Sequence, residues 1–165
     1  MSQRRLARSA RAALLWGLAA FVVLQQGLAV TVEGWLAARQ AAALRYDALI
    51  EEHHLAGFLE RPVVRPGRRH TFNQYVVRVG RGERDALVRH LKADGIGCEI
   101  YYPLPLHGQE CLRYLGYRAG DFPASEAASR AVLALPVYPE LTADQQRRVI
   151  HSCASYLRQH TRRAA

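Results

Sequence analysis

The sequence predicts an α/β fold of the α+β type, a small sheet covered by helices, and three observations carry that expectation. Stretches with a helical repeat of apolar residues alternate along the chain with short β-branched or period-two stretches. Half of the 165 residues are hydrophobic and 22% are charged, a globular composition at the size of one ordinary domain. Proline and glycine gather between the periodic stretches, where they punctuate rather than interrupt.

The elements follow in order. Over 35–50 the apolar residues Trp35, Ala38, Ala42, Tyr46, Leu49 and Ile50 recur at helical spacing. Residues 61–70, RPVVRPGRRH, hold two prolines and a glycine and form a loop. Residues 74–79, QYVVRV, have the composition and length of a strand. Leu87, Val88 and Leu91 share a helix face over 85–92, and Gly95 ends that helix by taking the left-handed conformation cheaply. Ile96, Cys98, Ile100 and Tyr102 then alternate with Gly97, Glu99 and Tyr101, the period of a half-buried strand. Pro103 and Pro105 stop it, since proline offers no donor to a ladder. A loop with a short helical piece at 111–115 leads to Asp121-Phe-Pro123, read as an N-cap and an early helical proline. Ala127, Ala128, Ala131 and Val132 give that helix its face, and Val137-Tyr138 between two prolines reads as a short extended segment. Thr142 with Gln145 three residues on is a capping box for a last helix that buries Val149, Ile150, Cys153 and Leu157.

The net charge of +9 suggests a nucleic-acid binder, but its distribution does not. Arg4, Arg5, Arg8 and Arg11 at one end, and Arg147, Arg148, Arg158, Arg162 and Arg163 at the other, account for the whole excess. The chain between is balanced, whereas a nucleic-acid face needs a basic stripe on the folded body. Residues 12–24, AALLWGLAAFVVL, are an unbroken apolar run behind four arginines. Gln25 and Gln26 interrupt it short of the ~20 residues of a spanning helix. A secretion signal, a weak membrane anchor and an amphipathic helix that has lost its partner all fit.

Chemistry-bearing motifs are sparse. Cys98, Cys111 and Cys153 are too few and too odd for a disulfide framework and are read as core thiols in a reducing compartment. His53 and His54 are adjacent and point about 100° apart on a helix, so they cannot share a metal. His107 and Cys111 are only two ligands, so no metal site is expected. There is no nucleophile elbow and no phosphate loop. The one unusual stretch is YYPLPLHGQ over 101–109: two aromatics at a strand end run into a proline-stiffened loop that presents His107 and Gln109. Read on residues alone, it is either a site or a packing loop whose His107 bonds the backbone.

At this loop a resemblance enters. HTFNQYVVRV (70–79), RDALVRHLKADGIGCEIYYPLPLHGQ (84–109) and YLGYRAGDFPASEAASRAVLALPVYPELTADQQ (114–146) together resemble the C-terminal part of the DegT/DnrJ/StrS family of sugar aminotransferases. WLAARQAAALRYDALI (35–50) is similar to the helix leading into it, so the resemblance spans about 35–159. It implies the C-terminal small domain of a fold type I, pyridoxal-phosphate-dependent aminotransferase. In the family a large domain holds the cofactor on a lysine, and the small domain closes the cleft. The implied reaction moves an amino group from glutamate to a nucleotide-linked keto-sugar, in cytoplasmic homodimers that supply polysaccharide or metabolite biosynthesis.

By the resemblance, His107 matches a cleft histidine expected to bind the sugar substrate, with Tyr102 nearby, and Asn73 faces the same cleft. Core packing for Tyr102 and turn formation for Asn73 are the alternatives. The only lysine, Lys92, does not lie where the family keeps its own, and no aspartate aligns with the partner of the pyridine nitrogen. No catalytic or cofactor-binding residue is therefore expected here, and none of pyridoxal phosphate on this chain by itself. The expectation is a small domain inactive alone, with a separately encoded large domain as a further possible partner. The resemblance does not separate an aminotransferase from a dehydratase relative, in which histidine replaces the lysine. The domains expected are a non-matching segment 1–30, an interdomain-type helix 31–60, the small domain 61–159 and a basic tail 160–165. Behind such a body, residues 1–30 fit a truncated, split or frameshifted gene better than an export signal. The rival is a non-catalytic binding or regulatory module attached to a membrane through 12–24.

Overall fold

Tyr75–Val79 (β2) buries Tyr75, Val77 and Val79 and exposes Arg78, so its YVVRV sequence acts as a period-two strand. The computed structural model describes residues 31–161, with side chains to residue 159; the apolar run 12–24 lies outside them. β2 is the centre of an antiparallel sheet in the order β1-β2-β3, with β1 at Leu59–Glu60 and β3 at Val132–Leu135. The register sets Tyr75 opposite Leu135, Val77 opposite Leu133 and Val79 opposite Leu59, which places six buried side chains on one face.

Helices cover that face, as expected. The chain divides after Ala37 into two compact units, the first described only over 31–37, which are helical. In the second, helix continues to residue 52 (31–52, α1) and contributes Ala43, Tyr46, Leu49 and Ile50 to the core. Arg84–Ala93 (α2) adds Leu87 and Leu91. Ala143–Thr161 (α4) adds Val149, Ile150, Cys153 and Leu157. Tyr46 and Tyr75 lie ring to ring at 4.9 Å, and each places its hydroxyl on an acceptor: the Pro136 carbonyl (2.9 Å) and Asp47 Oδ1 (2.5 Å). Burial, and for Tyr75 also the Asp47 carboxylate, holds both phenols above their ordinary pKa.

The helix ends obey local rules. α2 closes in a Schellman motif: Ile96 N–H bonds the Leu91 carbonyl, Gly95 N–H bonds that of Lys92, and Gly95 has φ +71°. α1 closes the same way, with Leu55 on Ile50 and His54 on Glu51, but the left-handed residue is His54 at φ +53°. The expected capping box opens α4, with Thr142 N–H on Gln145 Oε1 and Gln145 N–H on Thr142 Oγ1.

Four expectations are corrected. The alternation over 96–102 does not make a strand. Ile96 and Cys98 are buried as the period requires, but only Glu99 bridges, to Ala134, before the prolines lead the chain away. The strand near the following prolines is Val132–Leu135, not Val137-Tyr138, because α3 (Pro123–Ala131) stops at Ala131. A continuous apolar run such as VLAL has no period to tell strand from helix. Asp121 is not the N-cap of α3: Phe122 holds that position without a side-chain bond, and Asp121 Oδ2 accepts the Arg118 N–H (2.8 Å) across a turn. Cys111 is exposed, whereas Cys98 and Cys153 are buried.

α3 is tied to the body by a residue the sequence did not single out. Arg84, 7% exposed, donates Nη1 to the carbonyls of Ser129 (3.1 Å) and Val132 (3.2 Å) and pairs through Nε with Asp85. It thus supplies donors to carbonyls at the α3–β3 junction, where a helix leaves its last acceptors unpaired.

Candidate functional site

Pro105 enters a short 3-10 turn, Leu106–Gly108, and a second one, Glu110–Leu115, follows and ends on Gly116 at φ +76°. These turns carry His107 inward to α3. Its Nε2 lies 3.1 Å from Glu126 Oε1, and the side chain keeps only 10% of its exposure. The same oxygen accepts the Gly120 N–H at 2.7 Å. The His107 ring packs 4.8 Å from Phe122, whose edge meets Tyr117 at 5.0 Å. The Gly120 amide first, and the His107 ring after it, hold the Glu126 carboxyl below its ordinary range. An ionised carboxylate only accepts, so in this contact the N–H of Nε2 donates to Glu126. The ring nitrogen of His107 thus meets a carboxylate, while its ring packs on Phe122.

His107 lines a cleft of about 300 Å³ with Pro103, Leu104, Tyr117, Arg118, Glu126 and Arg130. The wall combines apolar surface with two guanidiniums and an ion pair, a lining able to hold a polar ring by its hydroxyls. Asn73 is exposed just before β2 and lines a different cleft of about 150 Å³, with Cys98, Glu99, Tyr101 and Val137. Tyr102 is 64% exposed and lines neither. The structure therefore does not bring His107, Tyr102 and Asn73 into one pocket. Glu126, nineteen residues from its histidine, had no local sequence signal.

The donor set can be tested against pyridoxal phosphate. That cofactor needs a lysine amine facing a cavity. Lys92 is exposed on the last turn of α2 and lines neither cleft, so the described residues do not fit as its anchor. The cysteines do not replace it. Burial, with Cys98 nearby, pushes the Cys153 thiol up to about 12, and burial also raises Cys98. Among the described residues no three His, Cys, Asp or Glu side chains gather as metal ligands, and no helix is long and apolar enough to cross a membrane.

The antiparallel three-stranded sheet with helices on its core face is a small α/β fold whose structural neighbours are fold type I aminotransferases. The family profile of the DegT/DnrJ/EryC1/StrS aminotransferases matches residues 17–154, and the chain belongs to that family, which is pyridoxal-phosphate-dependent. The match takes in residues 17–30, beyond the stretch quoted for the resemblance above. The chain is 39% identical over 124 residues to the dTDP-3-amino-3,4,6-trideoxy-alpha-D-glucose transaminase of Micromonospora megalomicea subsp. nigra, covering 73% of this chain and 32% of that one. It is 38% identical over 127 residues to a pleiotropic regulatory protein of Geobacillus stearothermophilus, covering 77% and 33%. Among solved structures, S. venezuelae DesV in complex with a ketimine intermediate superposes with TM-score 0.68 at 31% identity, over 75% of this chain and 32% of that one. The chain spans about a third of the length of the curated relatives it matches.

Proposed function

We propose that this chain serves as the C-terminal small domain of a pyridoxal-phosphate-dependent sugar aminotransferase, one that transfers an amino group from glutamate to a nucleotide-linked keto-sugar. Family membership across residues 17–154 carries the reading, and the buried His107–Glu126 pair at the mouth of a cleft gives it a place to act. In this reading Glu126 fixes the tautomer and direction of His107, and Nδ1 of His107 meets a hydroxyl of the sugar. Tyr102 and Asn73 reach the substrate from outside the His107 cleft. The cofactor supplies the electron sink for amino transfer when bound. Its lysine comes from a large domain, because Lys92 is exposed and outside the clefts. The working enzyme is a cytoplasmic homodimer that includes that domain.

Two measurements test this. In an assembled enzyme, His107→Ala lowers kcat/KM for the nucleotide sugar by about tenfold or more while leaving the fold intact; an unchanged value removes His107 from the site. With the 165-residue chain alone, added pyridoxal phosphate gives no lysine-linked visible absorbance. A band that disappears in Lys92→Ala overturns the assignment of the lysine elsewhere.

A second reading has one observation of its own: the relative at 38% identity carries a regulatory name. A non-catalytic binding or regulatory module would leave amino transfer unaffected when His107 is replaced. Its membrane form needs residues 12–24, which lie outside the described residues.

A further inference from the structure

We propose that the cavity between the β1–β2 hairpin and α3 is a binding site for a small diphosphate-bearing anion, separate in role from the sugar cleft and independent of the reading above. The cavity measures about 550 Å³, large enough for a diphosphate with a further group attached. Three guanidiniums line it, those of Arg78, Arg81 and Arg130, against one carboxylate, Glu60. That leaves an excess of two positive charges facing one concave space, the complement of a diphosphate.

Each arginine is available in a different way. Arg78 meets Glu60 only at 3.6 Å, with both side chains well exposed (46% and 70%), a pairing that an incoming anion can replace. Among the described residues Arg81 has no carboxylate partner. Its guanidinium carbon sits 4.8 Å from the Phe58 ring centroid, and a guanidinium stacked in this way can donate its N–H edge to an oxyanion. Among the described residues Arg130 also has no carboxylate partner, and it lines the His107 cleft as well, so it stands at the border of the two spaces.

The backbone supports the same conclusion. Arg81 and Gly82 have φ of +59° and +72°, and the Gly80 carbonyl accepts the Glu83 N–H at 3.2 Å, so a tight left-handed turn projects Arg81. Such turns favour Asn or Gly at both central positions. A large cation stands there at a conformational cost, and its stacking on Phe58 aims it at the cavity. Gly57 and Gly82 also line the wall, and a Cβ added at either meets nothing within 4 Å, so a ligand can approach the main chain.

The test is isothermal titration of the 165-residue chain with inorganic pyrophosphate at low ionic strength. Saturable binding at one site is expected. Arg81→Gly keeps the left-handed backbone and removes the cation, and Arg130→Gln changes an exposed position, so both variants fold. Each weakens binding by about tenfold or more, the effect of one charge-assisted contact. Arg68→Gln, an exposed arginine outside the cavity, serves as control and changes it by less than about twofold. No saturable binding, or an equal loss in all three variants, overturns the proposal. Adenosine diphosphate in a parallel titration separates the sources: tighter binding than pyrophosphate identifies a nucleotide as the ligand, and equal or weaker binding identifies the bare diphosphate.

Discussion

The packed body and the segment over 101–122 treat large apolar side chains in opposite ways. In the body, Tyr46, Ile50, Tyr75, Leu91, Leu133 and Ile150 are fully buried. In the segment, Tyr101, Tyr102, Leu104, Leu106, Tyr114 and Tyr117 are all about half exposed or more. The body is held by area removed from water and is closed on itself. The segment is held by its own turns and by one histidine–carboxylate pair, and its apolar surface faces outward, as a surface that meets a ligand or partner does. The first region therefore holds the core, and the second leaves its apolar side chains open to contact.

Substitutions can break or sharpen that contrast, starting with the largest effect. Leu133→Ala opens a cavity under β3 and lowers unfolding stability by about 2–5 kcal/mol in urea titration. A loss below about 1 kcal/mol would show that the sheet face is loosely packed. Arg84→Ala leaves the Ser129 and Val132 carbonyls without their donor and loosens the join between the body and α3, lowering stability by about 1–3 kcal/mol. Hydrogen exchange at the end of α3 rises with it, and an unchanged exchange pattern contradicts the role of Arg84.

Where the segment meets α3 the expected effect is one of pH. Because Glu126 has a folded pKa below its unfolded value, its pairing stabilises the protein fully above the unfolded pKa of about 4.3. That contribution disappears as the pH falls through the folded value. Melting temperatures of the protein and Glu126→Gln should differ at neutral pH and converge on acidification. A gap that persists at low pH refutes the ion-pair account.

Smaller effects complete the series. His54→Gly relieves a left-handed side chain at the end of α1 and raises stability by about 0.5–1 kcal/mol. Tyr114→Ser, at a position 80% exposed, changes stability by less than about 0.5 kcal/mol. A large loss there would mean that the segment is part of the core after all.

Local features were legible where a local rule governs them. The helical repeat placed α1, α2 and α4, Gly95 ended α2, and Thr142 with Gln145 opened α4, because each depends on residues within one or two turns. β2 was visible from its composition and length. β3 was not, since VLAL is apolar throughout and carries no period. The two-residue β1 is fixed only by its pairing with Val79 and Arg78. At the site, His107 stood out because a proline-rich loop presented it, while the separation of Asn73 into another cleft followed from packing.

The sequence by itself determined the family, the end of α2 at Gly95, the capping box of α4 and the histidine that lines the cleft. Only the tertiary structure decided the strand order, the hold of Arg84 on the α3–β3 junction, the pairing of His107 with Glu126 and the meeting of Arg78, Arg81 and Arg130 around one cavity. The physical reason is range. Caps and amphipathic faces are set by neighbours three or four residues apart, whereas these contacts join elements from eighteen to sixty residues apart, which approach only once the hydrophobic faces have closed.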